Sequence, residues 1–185
     1  RRSLMLRILF LVCLISLTSE VNANNKDQII NKLKNTSNLN FDFEQNINGK
    51  VELGNCTIQY PKKMFCEYDK KNKIMVSNGK SLVIKSNLSY YRYALNKTPL
   101  NFILDKNFLL KKISELNEEI INNSLVKFTI KENNQLIDIF FDINNYELIG
   151  WQTKDIYQNT AVTLLYSIKL NQVIDEKIFK TPLQN

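Results

Sequence analysis

Histidine is absent from all 185 residues. That absence removes Ser-His-Asp and Cys-His catalysis, histidine-ligated metals and most general acid–base schemes. Glycine is nearly as scarce, with four residues and none in a phosphate-loop pattern, which speaks against nucleotides. Arginine numbers four, and Arg1, Arg2 and Arg7 crowd the N-terminus. Only Arg92 remains beyond them, whereas nucleic-acid readers favour arginine for bidentate contacts. The chain carries 21 lysines and 26 asparagines with much isoleucine, the residue set of an AT-rich genome. The net charge of +7 is therefore weak support for a nucleic-acid or anionic-membrane partner.

The apolar run Ile8–Ile15 is far shorter than the ~20 residues a membrane helix needs. With Arg1, Arg2 and Arg7 before it and Val21-Asn22-Ala23 after it, residues 1–23 read as a cleaved secretory signal peptide. Lipidation at Cys13 fits poorly, because Val12 stands where a small residue is needed and Phe10 where Leu is usual. The expected mature chain, 24–185, is one soluble domain with 22 cationic against 17 acidic side chains, a net +5. It is long enough for a proper core.

Beyond Cys13 only Cys56 and Cys66 remain. They lie in GNCTIQYPKKMFCEYD, residues 54–69, where two alternating runs flank Tyr60-Pro61-Lys62. Counting outward from Pro61 sets Ile58 opposite Met64 and Cys56 opposite Cys66 on one apolar face. In an exported protein such a pair reads as a disulfide, with two free buried thiols as the alternative. Two cysteines without histidine do not fill a zinc site.

The periodicities describe an antiparallel sheet interrupted once. Ile29, Ile30 and Leu33 mark a short helix within 24–37. Phe41, Phe43, Gln45 and Ile47 then alternate, and Asn48-Gly49 signals a hairpin. Gly54-Asn55 reads as a bulge. Strands follow at 58–60, 64–68, 74–77, 81–85 and 89–95, with a turn at Asn78-Gly79. Thr98 as N-cap and Pro99 at the first helical position open an apolar helix carrying Leu100, Ile103, Leu104, Phe108, Leu109 and Ile113. A break in it is expected near Asp105–Asn107. Strand patterns resume at 119–122, 126–131, 136–143, 147–155 and 161–169. The sum is α+β, about ten strands and two helices. So long a sheet twists and curls, giving a concave face that the mid-chain helix covers.

The paired carboxylates Glu118-Glu119 and Asp138/Asp142 are the remaining catalytic candidates, and nothing in the sequence places the second pair around a cleft. An exported, curled sheet with an apolar helix suits a binding protein for something greasy.

The ordered pieces across the chain carry a resemblance. They are Phe41-x-Phe43-x-Gln45, Gly54, Tyr60-Pro61 and Met64-Phe65-x-Glu67-Tyr68, then Ile74-x-Val76-Ser77-Asn78-Gly79-Lys80-Ser81-Leu82 and Thr98-Pro99-Leu100. Phe141-Asp142, Leu148-x-Gly150-Trp151, Asp155, Thr160 and Ile178-Phe179 complete them. In these the chain resembles the LolA family of periplasmic outer-membrane lipoprotein carriers. The resemblance implies a half-open antiparallel barrel with helices as a lid over an apolar concave face. It implies a non-enzymatic periplasmic carrier, expected to be a monomer and to use no cofactor. Such a carrier takes acylated lipoproteins from an inner-membrane ABC transporter to an outer-membrane receptor lipoprotein.

The expected lipid-lining residues are Phe43, Ile58, Tyr60, Met64, Met75, Leu82 and Ile84, with lid residues Leu100, Phe102, Ile103 and Leu104. The methionines suit a variable ligand, because thioether chains adapt their shape. Many family members carry arginine before the hairpin proline, where this chain has Tyr60; its phenol is expected to donate to a lid carbonyl instead. An aromatic lining position falls at Cys66. The basic Lys62-Lys63 turn is a candidate partner contact on the rim. Two rival readings stand beside the carrier: a shuttle or sensor for a free lipid or glycolipid on the same fold, and a secreted enzyme using Asp138 or Asp142.

Overall fold

The computed structural model describes residues 24–70, 72–154 and 158–184. The signal-peptide reading, Cys13 and Asp155 lie outside them. A helix α1 (Asn25–Lys34) opens the chain, capped by the Asn24 side chain, which accepts from the Lys26 N–H. It buries Ile29 and Leu33, as its spacing predicts.

Six strands then run as a meander: β1 (Asn38–Ile47), β2 (Lys50–Gln59), β3 (Lys63–Tyr68), β4 (Ile74–Asn78), β5 (Ser81–Lys85) and β6 (Tyr90–Ala94). A 3-10 turn at Leu95–Lys97 leads into α2 (Leu100–Ile103) and α3 (Lys106–Glu115). Five more strands follow: β7 (Glu119–Ile121), β8 (Leu125–Glu132), β9 (Gln135–Asp142), β10 (Leu148–Lys154) and β11 (Thr160–Leu170). All eleven form one antiparallel sheet in the order β6-β5-β4-β3-β2-β1-β11-β10-β9-β8-β7. Pairing of β1 with β11 joins the two meanders, and β6 and β7 are left as edges, so the sheet curls without closing.

The turn chemistry is local. Asn48 and Gly49 have φ of 51° and 82°, the left-handed pair that a two-residue hairpin between Ile47 and Lys50 requires. Asn133 and Asn134 repeat the device between β8 and β9. Asparagine substitutes for the scarce glycine at these sites because its side chain tolerates φ > 0.

Two expectations need correcting. No bulge interrupts β2 at Gly54: its register against β1 and β3 is unbroken through that residue. Gly54 is instead a close approach, since a Cβ there would sit 2.8 Å from Phe43 Cε1 and against the Glu67 carbonyl. The register shifts fall at Asn40/Asp42 against β11 and at Leu148/Gly150 against β9, where they help the sheet curl. Thr98 has the extended backbone of an N-cap, but its hydroxyl donates back to the Leu95 carbonyl at 2.8 Å and so leaves the helix uncapped. The helix break arrives as expected: α2 stops at Ile103, and Asp105 caps α3 by accepting from the Phe108 N–H at 3.1 Å.

One main core lies between the sheet's concave face and the helices. It joins Ile29 and Leu33 of α1, Phe102 and Ile103 of α2, and Leu109 and Ile113 of α3 to Phe41, Ile58, Phe128 and Ile139 of the sheet. On the convex side the C-terminal segment, with a 3-10 turn at Glu176–Phe179, packs on β3 and β4. There Phe179, Val76 and Val83 are buried. Among the described residues no helix is long and apolar enough to cross a membrane.

Candidate functional site

Register decides which side chains share the concave face. From the Pro61 hairpin, Ile58 pairs with Met64, Met64 with Ser77, Ser77 with Leu82 and Leu82 with Tyr93. One step further along the strands, Cys56, Cys66, Met75, Ile84 and Tyr91 form a parallel row across five strands. Next come Phe43, Gly54 and Tyr68, then Gln45 with Glu52 and Thr163, and last Ile47 with Lys50 and Ala161. All of these residues except Ile58, Ser77, Gly54 and Ala161 line the floor of an open cavity of about 650 Å³. Thr98, Pro99 and Leu100 form part of its opposite wall. A second hollow of about 430 Å³ shares Leu82, Ile84, Tyr93 and Pro99 and runs on to the Asn134–Leu136 turn.

The expected lining residues divide in two. Phe43, Met64, Met75, Leu82, Ile84 and Leu100 come together on the cavity wall. Ile58, Phe102, Ile103 and Leu104 do not reach it. They are buried in the core where α2 meets the sheet, and so anchor the lid rather than line the hollow. Cys56 and Cys66 are joined by a disulfide, and both line the cavity. It cross-links adjacent strands through a short loop, a tie worth roughly 3 kcal/mol.

Tyr60 also lies away from the cavity, and its expected hydrogen bond to the lid is not made. The hydroxyl is buried without a partner, and burial alone pushes its pKa well above the ordinary phenol value. The tie to the lid comes from Lys62. Its backbone N–H donates to the Leu104 carbonyl at 2.8 Å, and its Nζ lies 3.3 Å from Asp105 Oδ2. Lys62 has φ of 65°, and the left-handed backbone turns both groups toward the α2–α3 junction. Lys106 Nζ lies 5.8 Å from the Tyr60 ring centroid and donates to the Thr36 carbonyl at 2.9 Å. The basic turn is thus occupied internally, since Lys63 pairs with Glu176 on the convex side.

The lining residues that sequence reasoning missed include Tyr91, Tyr93, Trp151 and the polar group Gln45, Lys50, Glu52, Tyr68, Lys73, Thr153, Lys154 and Thr163. The signal for the tyrosines was available: carrying the face assignment past Asn78-Gly79 puts Tyr93 beside Leu82 and Tyr91 beside Ile84. Trp151 comes from the far side of β1, a pairing that local patterns do not specify. Five of the polar group, Gln45, Glu52, Tyr68, Lys73 and Thr163, are linked to one another. Lys73 pairs with Glu52 at 2.5 Å and stacks 3.8 Å from the Tyr68 ring centroid. The Tyr68 hydroxyl donates to Gln45 Oε1, and Gln45 Nε2 donates to Thr163 Oγ1. Burial and the Glu52 charge both raise the Tyr68 pKa.

Asp138 and Asp142 alternate with Ile137, Ile139 and Phe141, so they point away from the core face. Asp138 accepts from Thr129 Oγ1 at 2.6 Å and Gln152 Nε2 at 3.3 Å. Asp142 accepts from the Asn144 and Asn145 N–H groups in the following turn. Both carboxylates serve the sheet and neither lines the cavity.

Solved structures of other proteins align along most of the chain. A LolA superfamily protein from Nitrosomonas europaea aligns at 9% identity and TM-score 0.44, covering 86% of this chain and 99% of that one. An uncharacterized conserved protein from Thermus thermophilus aligns at 7% identity and TM-score 0.50, covering 86% and 95%. A putative outer membrane lipoprotein-sorting protein domain from Vibrio parahaemolyticus aligns at 9% identity and TM-score 0.45, covering 84% and 97%. Of these three only the Thermus alignment reaches a TM-score of 0.50, and at 7% identity its likeness concerns the fold alone. No curated protein matches. The family model of the outer membrane lipoprotein carrier protein LolA, however, matches residues 34–182, which hold the floor, the lid and the hairpin that ties them, and the chain belongs to that family.

Proposed function

We propose that this protein is a periplasmic carrier that shields the acyl chains of lipoproteins and passes them between membranes. The observation that carries the reading is the open apolar hollow between Met64, Met75, Leu82 and Ile84 on the floor and Leu100 in the lid. Its volume lies within the roughly 300–1,000 Å³ typical of ligand sites. Membership in a family of lipoprotein carriers points the same way.

The physical task is to move acyl chains through water. Each CH₂ buried is worth about 0.8 kcal/mol, so a multiply acylated protein does not leave a membrane unaided. A carrier must cover those chains and still give them up. Here Leu100 and Pro99 already pack over part of the floor, so cargo competes with the lid for the same surface. That competition lowers net affinity to a level from which a tighter receptor takes the cargo. The donor and acceptor on this reading are an inner-membrane ABC transporter and an outer-membrane receptor lipoprotein. The carrier itself works as a monomer without cofactor or catalysis.

The test is mass spectrometry of the protein purified from the envelope of its own cells. Co-purified acylated proteins are expected. A free phospholipid or glycolipid in their place would turn the reading to a lipid shuttle, and an empty protein under mild purification would remove both. Met75→Glu supplies the paired control. A carboxylate among Cys66, Ile84 and the disulfide floor should cut recovered cargo at least tenfold, while near-UV circular dichroism keeps the folded signature.

A further inference from the structure

The cavity is not uniform along its length. Its apolar rows lie toward the Pro61 hairpin, where the lid is tied down. Its polar rows lie toward the Asn48-Gly49 hairpin: Gln45 with Glu52 and Thr163, then Lys50, with Thr153 opposite Ala161. Among the described residues three lysines line this end, Lys50, Lys73 and Lys154, against one carboxylate, Glu52. Lys73 neutralises that carboxylate. Among the described residues neither Lys50 nor Lys154 has an acidic partner, and both stand exposed at the mouth.

We infer that the Lys50–Lys73–Lys154 end of the cavity receives an anionic group covalently joined to the acyl chains, so that the preferred cargo is an amphiphile with an acidic head. This deepens the carrier reading and rests on it. Acyl chains lie along Met64, Met75, Leu82 and Ile84, and the head stays at the polar mouth. The arrangement follows from desolvation. A charged head drawn to the closed end would lose its water among groups that offer no hydrogen bond, whereas at the mouth the two exposed ammonium groups meet it. Lys73, held by Glu52 and the Tyr68 ring, is fixed in place beside them. The anion has two sources: the phosphate of a phospholipid, or an acidic side chain next to an acylated N-terminal cysteine.

Trp151 lines the cavity and is the only tryptophan in the chain, so its fluorescence reports occupancy. Two matched pairs of probes test the inference. One pair is lysophosphatidylglycerol and lysophosphatidylcholine of equal chain length. The other is a pair of diacylated peptides that differ by Glu against Gln after the modified cysteine. The expected result is at least tenfold tighter binding of the anionic member in one pair or both, shrinking at high salt. Whichever pair shows it identifies the source. Lys50→Glu combined with Lys154→Glu should remove or reverse the preference, while Lys111→Glu with Lys180→Glu, matched in charge but away from the mouth, should keep it. Glycerol phosphate without an acyl chain should not displace either probe at millimolar concentration.

Equal affinity within both pairs, or a preference that survives Lys50→Glu/Lys154→Glu, overturns the inference and leaves the carrier intact. Displacement by glycerol phosphate alone also overturns it, since the site would then take a free anion. Failure of every acylated probe to bind removes the carrier reading itself, so the two failures are distinguishable.

Discussion

Gly54 shows how one residue fixes the shape of the floor. It sits on β2 between Phe43 of β1 and Tyr68 of β3, whose rings meet edge to face at 5.0 Å between centroids. The Phe43 ring lies across the glycine, in the space where a side chain would begin. Gly54→Ala forces that ring off its rotamer and presses on the Glu67 backbone. Such overpacking costs about 1–3 kcal/mol. The check is a urea titration, in which the midpoint should fall with little change in slope. Position 54 also marks a limit of sequence reading. A glycine inside a strand signals either a bulge or a close approach. The deciding neighbour, Phe43, is eleven residues away and on another strand, so the local pattern favours the wrong choice. Tyr60 sets the same limit from the other side. Its place before Pro61 was legible, but the φ of 65° at Lys62, which turns Lys62 itself toward the lid, was not.

At the scale of elements, what the sequence made legible is what neighbouring residues decide. The Pro61 hairpin is the strongest case: counting outward gave Ile58–Met64 and Cys56–Cys66, and the observed register is the same. The Asn-Gly turns and the α2–α3 break followed for the same reason. Pairing of β1 with β11 spans more than a hundred residues and leaves no local trace, so Trp151 and Thr163 stayed hidden. The lid junction joins both kinds of information, and Asp105 does two jobs there. It caps α3 and pairs with Lys62. Asp105→Asn keeps the cap, because asparagine caps as well as aspartate, and removes the ion pair. Both partners are about a third exposed, so this loss should stay below about 1 kcal/mol. Asp105→Ala removes the cap as well and should cost a further ~1 kcal/mol. Hydrogen exchange of Asn107–Ile113 should therefore rise slightly in the first variant and several-fold more in the second. Equal exchange in the two would show that the cap does not hold the lid.

The molecule as a whole has a floor clamped from both sides. The lid packs on the concave face, and the C-terminal segment lies across the convex face of the same strands. That segment is held by Glu176, which accepts from Lys63 and Gln59, by Phe179 beneath it, and at its far end by Lys85 and Tyr90. These two donate to the carbonyls of Leu183 and Pro182 at 2.9 and 3.2 Å. Lys62 and Lys63 are adjacent, so one turn serves both clamps: Lys62 reaches the lid and Lys63 the strap. The hydrogen bond from Lys63, joined by that from Gln59, holds the Glu176 carboxyl below its ordinary pKa. A carboxyl depressed in the folded state adds stability above its unfolded pKa, near 4.3, and that share is lost as pH falls through the lower folded value. The strap should therefore hold from neutral pH down to about the ordinary glutamate pKa and loosen in more acidic solution. Loosening is read as faster amide exchange at Ile178–Lys180 relative to the β1–β2 core, measured at a series of pH values and corrected for intrinsic rates. Glu176→Gln should show the faster relative exchange already at pH 7 and lose most of the acid dependence. If the variant instead follows the wild type at every pH, the strap is held by Phe179 packing alone, and its grip on β3 is independent of charge.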